Sequence, residues 1–294
     1  MYYVVYGLVY LLSLLPMWML YLLSDGLSFL LYYVIRYRRT VVMTNLVIAF
    51  PERSGTERTR IAKKFYRNFT DNLLETVKLL SARPSYAKTR LVIDNPELLD
   101  AFYDSGRKCH LHLGHTFNWE IANAAMPLLT RYTFLVAYMP IENKTLDRLF
   151  LQLRARTGTI LLPATRMHRS ILPYRNKQYL LTLVADQAPP SPETAYWLDF
   201  FGRPTPFMRG PERGARIADI PVIFVRFYKT GRGHYRVRLI TGADHPAQLP
   251  EGELTRRYAR FLEEAIAQDP ALWLWSHKRW KKEWKEEFSR LRID

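Results

Sequence analysis

His115 and Glu120, five residues apart, close the run Arg107-Lys-Cys-His-Leu-His-Leu-Gly-His-Thr-Phe-Asn-Trp-Glu120. Imidazole is the side chain suited to taking a proton near neutral pH, and a carboxylate on its second nitrogen fixes the tautomer and stabilises the imidazolium that forms. Cys109 to Leu113 reads as a strand ended by Gly114, which delivers His115 to the edge of a sheet, where α/β proteins place chemistry. A dyad with Glu120 requires His115 to precede the helix, because inside regular helix five residues turn a side chain by about 140°. Asn118 is then placed to cap the turn. Such a pair suits removal of a proton from a substrate hydroxyl, which attacks an activated acyl group. The chain has no Gly-x-Ser-x-Gly elbow, so a serine acyl-enzyme is disfavoured.

Other readings compete for the same residues. His110 and His112 fall on one strand face and with His115 could form a three-histidine metal site. Cys109 could serve as a thiol nucleophile, but alternation turns it to the opposite face, where a small apolar cysteine packs. A histidine and a glutamate five apart also occur by chance.

The elements that must position these residues have an α/β pattern. Ser54 and Glu57 have capping-box spacing, and Ile61, Phe65, Phe69, Leu73, Val77 and Leu80 follow on one helical stripe. Short apolar runs then recur at 91–93, 109–113, 133–138, 159–162, 179–184, 222–228 and 235–240, mostly with helical stretches between them. The last two runs, joined through Lys229-Thr-Gly-Arg-Gly233, are expected to pair as a hairpin, giving a mixed sheet flanked by helices. Asp186-Gln187 ends one apolar run, with a substrate contact or loop support as its expected role. Phe200-Phe-Gly-Arg203 reads as the start of a loop rich in proline and aromatics. A last helix from about Glu251 leads through Pro270 to Trp273, and Trp280, Trp284 and Phe288 make an aromatic stripe four residues apart.

Before this body lies an apolar leader. Met1 to Ser24 carry no ionisable side chain except tyrosines, and as a helix they reach roughly 36 Å, enough to span a bilayer. A second apolar run, Gly26 to Ile35, is closed by Arg36, Arg38 and Arg39. With no basic side chain before the run and three after it, the body is expected on the cytoplasmic side. A cleaved signal peptide fits less well, for lack of a basic start and a small-residue cleavage site. The division expected is a membrane anchor over 1–36 and one domain over 37–294. A formal net charge of +16 implies anionic partners, and with 7 Trp, 19 Tyr and 15 Phe beside an apolar leader, a membrane face fits better than a nucleic-acid groove. The single cysteine excludes an internal disulfide and agrees with a reducing compartment.

The run His115-Thr-Phe-Asn-Trp-Glu120 resembles the histidine-x4-acid motif of the lipid A late acyltransferases, the lauroyl and myristoyl transferases of Gram-negative envelopes. Asn45-Leu46 with Phe50-Pro-Glu52, Ala185-Asp-Gln187, Phe200-Phe-Gly202 and Trp273-Leu-Trp-Ser-His-Lys-Arg-Trp280 resemble further signatures of the family in the same order. Thr116-Phe117 departs from the Phe-Gly pair often found after the motif histidine. The resemblance implies a glycerolipid-acyltransferase-like fold and an inner-membrane enzyme that moves a fatty acyl chain from acyl carrier protein to a hydroxyl of a lipid A precursor. It implies His115 as general base, Glu120 as its orienting partner, and Arg156 or Arg154 binding acceptor phosphate or the carrier's phosphopantetheine. Asn118 and Asp186 complete the expected substrate-side residues. No metal or dissociable cofactor is expected, since the leaving thiol belongs to the donor. Two alternatives stand beside this. One is the same chemistry on an amino-acid lipid, a lysophospholipid or a mannosylated phosphoinositide; the other is a non-catalytic, membrane-anchored basic binding protein.

Overall fold

The computed structural model describes residues 1–293. Nine strands form in chain order: β1 (Leu91–Ile93), β2 (Cys109–Leu113), β3 (Thr133–Tyr138), β4 (Ile160–Pro163), β5 (Tyr179–Val184), β6 (Ala195–Phe200), β7 (Arg203–Met208), β8 (Val222–Gly231) and β9 (His234–Ala243). The helices are α1 (Tyr2–Leu14), α2 (Met17–Phe29), α3 (Arg39–Ala49), α4 (Gly55–Lys78), α5 (Pro84–Arg90), α6 (Glu97–Asp104), α7 (Trp119–Leu129), α8 (Lys144–Ala155), α9 (Met167–Ser170), α10 (Gly210–Ile217) and α11 (Glu253–Gln268).

The seven apolar runs all become strands of one sheet, ordered β1-β9-β8-β2-β5-β3-β4. β8 and β9 pair antiparallel as the expected hairpin, and every other neighbour is parallel, so the mixed α/β sheet flanked by helices is borne out. β2 is buried at every residue, and its parallel neighbour β5 is buried over Tyr179–Thr182, so both faces of these central strands are covered. His110 and His112, expected as possible ligands, are core residues: their rings lie 6.1 Å apart, and burial lowers them to about 4 and about 3. Burial likewise raises the Cys109 thiol to about 11, the opposite of what a nucleophile needs.

The Phe200-Phe201-Gly202-Arg203 segment, expected to open a loop, is instead the two-residue turn of the β6–β7 hairpin. Phe201 and Gly202 both adopt positive φ, 53° and 66°, which matches the right-handed twist of the flanking strands. Pro204 and Pro206 face Asp199 and Trp197. Counting from the Phe200↔Arg203 pair that closes the turn, both prolines fall at non-hydrogen-bonded positions, where the missing N–H costs no ladder bond.

α4 begins at the expected capping box: the Glu57 amide donates to Ser54 Oγ at 3.2 Å, and the Ser54 amide donates to Glu57 Oε2 at 2.8 Å. The leader differs from expectation. It breaks at Leu15-Pro16, where proline cannot continue α1, and α2 runs on through Asp25-Gly26 into a π turn at Leu30–Val34. The helix long and apolar enough to cross a membrane is therefore Met17–Val34 rather than the first 24 residues. Both α1 and α2 pack along α4. Lys78 Nζ donates to the Ser13 and Leu15 carbonyls at 3.0 and 2.9 Å, and Ser24 Oγ donates to Asp71 at 2.7 Å.

Beyond α11 the chain crosses the body as an irregular strap. The Trp280, Trp284 and Phe288 spacing does not make a helix: 281–285 are irregular and a 3-10 turn follows at Glu286–Leu291. Phe288 and Trp284 pack on Trp197, and the fully buried Arg279 lies over Phe207, donating to the Pro206 carbonyl at 2.8 Å.

Candidate active site

Parallel neighbours β2 and β5 are in register with Leu113 opposite Val184. Two residues past each strand end lie His115 and Asp186, so the register that aligns the strands also sets these side chains face to face. His115 Nδ1 and Asp186 Oδ1 are 2.5 Å apart, and Asp186 Oδ2 accepts from the His115 amide at 2.8 Å and from Trp273 Nε1 at 2.6 Å. Gly114 makes the close approach possible, since a Cβ there would sit 2.8 Å from Leu262 and 3.1 Å from Asp186 Oδ2. Burial alone would raise the Asp186 carboxyl. The facing imidazole, the His115 amide and the Trp273 indole outweigh it and hold the group below the ordinary carboxylate value.

With Nδ1–H donating to Asp186, the lone pair of His115 falls on Nε2, where the Gln187 amide approaches at 3.3 Å. The ring stands edge-on to Trp119 at 5.6 Å. The C-terminal strap braces the loop from the other side: the Phe117 amide donates to the Leu272 carbonyl at 3.0 Å, and the Leu274 amide to the His115 carbonyl at 3.0 Å. Asn45, from another signature segment, donates to the Trp275 and His277 carbonyls, both at 2.8 Å. Sequence segments that resembled the family separately thus meet around one loop.

Glu120 has a different partner from the one its spacing suggests. His115 does precede the helix, as required, and Asn118 is the N-cap of α7, its Oδ1 accepting from the Glu120 and Ile121 amides at 3.0 and 3.1 Å. The Glu120 carboxylate, however, is gripped by Arg154 of α8, with Nε at 3.1 and 3.0 Å from its two oxygens and Nη2 at 2.5 Å from Oε1. Trp119 Nε1 donates to the same carboxylate at 3.2 Å. The hydrogen-bonded partner of His115 is Asp186, which is buried against the imidazole.

The two arginines also exchange places relative to expectation. Arg156 turns away and donates to the Leu79, Leu80 and Ala82 carbonyls just beyond the end of α4. Arg154 is the one at the site. Asn118, expected near substrate, is fully buried, and its Nδ2 donates to Glu75 at 2.9 Å. Glu75 also accepts from Tyr235 at 2.7 Å and from Tyr21 at 3.0 Å, and its burial pushes the carboxyl up. Sequence reading missed Glu75. It lies on the inner face of α4, about five helical turns beyond the Ser54–Glu57 capping box, and carries no local signal.

Trp119, Glu120, Arg154 and Gln187 of this site border a cavity of about 470 Å³. Glu120, Arg154, Gln187, Ser276 and His277 line it with polar groups, while Val9, Leu73, Val77, Leu80, Leu149 and Leu153 give an apolar wall. Such a cavity fits a molecule with a polar reacting end and a hydrocarbon tail. Comparison with curated proteins gives no match. The sequence model of the bacterial lipid A biosynthesis acyltransferases matches residues 1–282. With an aspartate-held histidine beside a half-apolar cavity, and a match running from the leader to the strap, the chain belongs to the bacterial lipid A biosynthesis acyltransferase family and is an acyltransferase.

Proposed function

We propose that this acyltransferase moves a fatty acyl chain from an acyl-carrier-protein thioester to a hydroxyl of a lipid A precursor, at the cytoplasmic face of the inner membrane. The observation that carries the reading is the His115 geometry: Nδ1 is committed to a buried carboxylate and Nε2 is turned to Gln187 on the cavity wall. Nε2 takes the proton of the acceptor hydroxyl as its oxygen attacks the thioester carbonyl. The tetrahedral intermediate collapses by breaking the carbon–sulfur bond, and the imidazolium returns its proton to the departing thiolate. Asp186 stabilises the imidazolium between these events. Glu120 fixes Arg154 through Nε and Nη2, leaving Nη1 for a phosphate of the carrier's prosthetic group or of the acceptor. The apolar wall holds the acyl chain and keeps water from competing for the thioester. No dissociable cofactor enters this scheme. The arginines at 36, 38 and 39, directly after the apolar helix, support a body that faces anionic headgroups.

The test is mass-spectrometric acyl transfer in detergent micelles, from acyl-carrier-protein thioesters to a tetra-acylated lipid A precursor. Transfer by wild type that collapses in His115→Ala supports the reaction and its base together. Transfer that survives in His115→Ala refutes the base, and absence of transfer by wild type refutes the acceptor.

A further inference from the structure

We propose that the leader does not cross the bilayer but lies in the plane of one leaflet, with the outward face of α1 and α2 immersed and the inward face clamped to α4. The partner is an anionic phospholipid surface. The proposal deepens the membrane association in the proposed function, and it does not depend on which acyl group or acceptor is used.

The argument starts at Asp25. It is the ninth residue of the eighteen in Met17–Val34 (25 − 17 + 1), so a spanning helix would hold it near the bilayer midplane. Asp25 is ion-paired at 3.0 Å with Arg67 of α4, whose side chain is 60% exposed, and at 2.9 Å with Arg232 of the β8–β9 turn. Arg232 also pairs with the buried Asp71 at 2.6 Å. A perpendicular α2 would therefore carry an exposed guanidinium, a helix of the body and a sheet turn into hydrocarbon, where charged side chains are strongly disfavoured.

Contacts along the whole length repeat the constraint. Near the α1–α2 break, Lys78 holds Ser13 and Leu15; at mid-length Ser24 bonds Asp71; and past the end of α2 Tyr32 packs edge-on against Tyr66. Residue numbers rise along α2 as they fall along α4, so the two lie side by side and antiparallel. Ser13, Leu20 and Ser24 are fully buried on that side. Leu8, Leu11, Trp18, Leu22 and Phe29 are exposed on the other, spaced mostly three, four or seven apart as one helical face requires. Polar on the inside and apolar on the outside is the reverse of a soluble helix and the pattern of one lying in the membrane interface. Its end carries the cations that anionic headgroups attract, with Arg39 4.5 Å from the Tyr32 ring and Lys63 5.3 Å from that of Tyr33.

The native Cys109 is buried, so nitroxide labels can be placed one at a time at Trp18→Cys, Leu22→Cys, Phe29→Cys and Tyr33→Cys, all exposed positions that leave the core intact. The full chain is bound to vesicles of phosphatidylethanolamine and phosphatidylglycerol, and label depth is read from collisions with oxygen and with a polar nickel chelate. The expected result is one shallow band, about 5–10 Å below the headgroups at every site. A depth that peaks near the middle of the helix and falls toward both ends establishes a spanning helix and overturns the proposal. Exclusion of both reagents at all four sites means the face is covered by protein, such as a second copy, and overturns it too. Failure to co-sediment with the vesicles refutes membrane association itself, whereas a wrong acceptor would leave the depth profile untouched.

Discussion

Replacing Asp186 by asparagine should remove most of the activity without unfolding the enzyme, for a reason that its hydrogen bonds dictate. Oδ2 accepts from two donors, the His115 amide at 2.8 Å and Trp273 Nε1 at 2.6 Å. An asparagine keeps those bonds only by placing its oxygen there, which turns its NH₂ toward His115 Nδ1. Nδ1 must then accept, the ring proton moves to Nε2, and the atom that should take the acceptor's proton already carries one. The equivalent swap in serine-protease triads costs about 10⁴-fold, so a loss of about 10³- to 10⁴-fold in kcat/KM is expected, or about 4–5.5 kcal/mol of transition-state stabilisation. Asp186→Ala differs in kind, because it orphans three donors, the His115 amide, its Nδ1–H and the Trp273 indole, at about 1–3 kcal/mol each, and should lower the Tm as well. The assay is initial-rate transfer from acyl carrier protein, with far-ultraviolet circular dichroism on the same samples. Near-wild-type kcat/KM in a folded Asp186→Asn enzyme would refute the assignment. So would a Glu120→Gln enzyme that retained its Arg154 contact and still lost activity to the same degree with an altered imidazole tautomer by ¹⁵N NMR.

Four further outcomes follow from the observed contacts. Arg154→Ala leaves the Glu120 carboxylate unpaired in a nearly closed site and should cost about 3–5 kcal/mol in urea unfolding together with activity, and Arg154→Lys should rescue poorly because it lacks the two-pronged grip. Arg156→Ala should cost about 1–3 kcal/mol through the carbonyls it holds beyond α4, yet leave kcat/KM of the folded enzyme unchanged. Because the Asp186 carboxyl sits below its unfolded value of about 3.9, its ionised form stabilises the fold: the stability gap between wild type and Asp186→Asn should be full at neutral pH and shrink as pH falls through the folded value. Glu75→Gln should be tolerated, since the amide oxygen serves Tyr235 and Asn118 while its nitrogen donates to Tyr21; Glu75→Ala should lower the Tm by several degrees, read by differential scanning fluorimetry.

The sheet was legible because its strands are short apolar runs separated by turn residues and helical stripes. The β6–β7 hairpin was not, since Pro204 and Pro206 argue locally against a strand and only the register shows them at positions that need no donor. His115 could be read from its place after a strand and a glycine. Its partner could not. Sequence spacing favours Glu120, five residues away, whereas Asp186 is seventy-one residues away and becomes a neighbour only through the β2–β5 pairing. The Arg154 and Arg156 reversal has the same origin. Both look alike on a string of residues, and the turn of α8 decides which faces Glu120 and which faces the end of α4.

The strap that braces the histidine loop also sets a schedule. His115 is made first, Asp186 seventy-one residues later, and Trp273, whose indole holds the Asp186 carboxylate, after both. A nascent chain that has completed the sheet strands from β1 to β9 still lacks the bonds from 272 and 274 that fix the loop. The loop is therefore fixed only after the leader, the sheet and α11 have been made. Until then a ribosome-bound chain holds His115 without the bonds that set its loop.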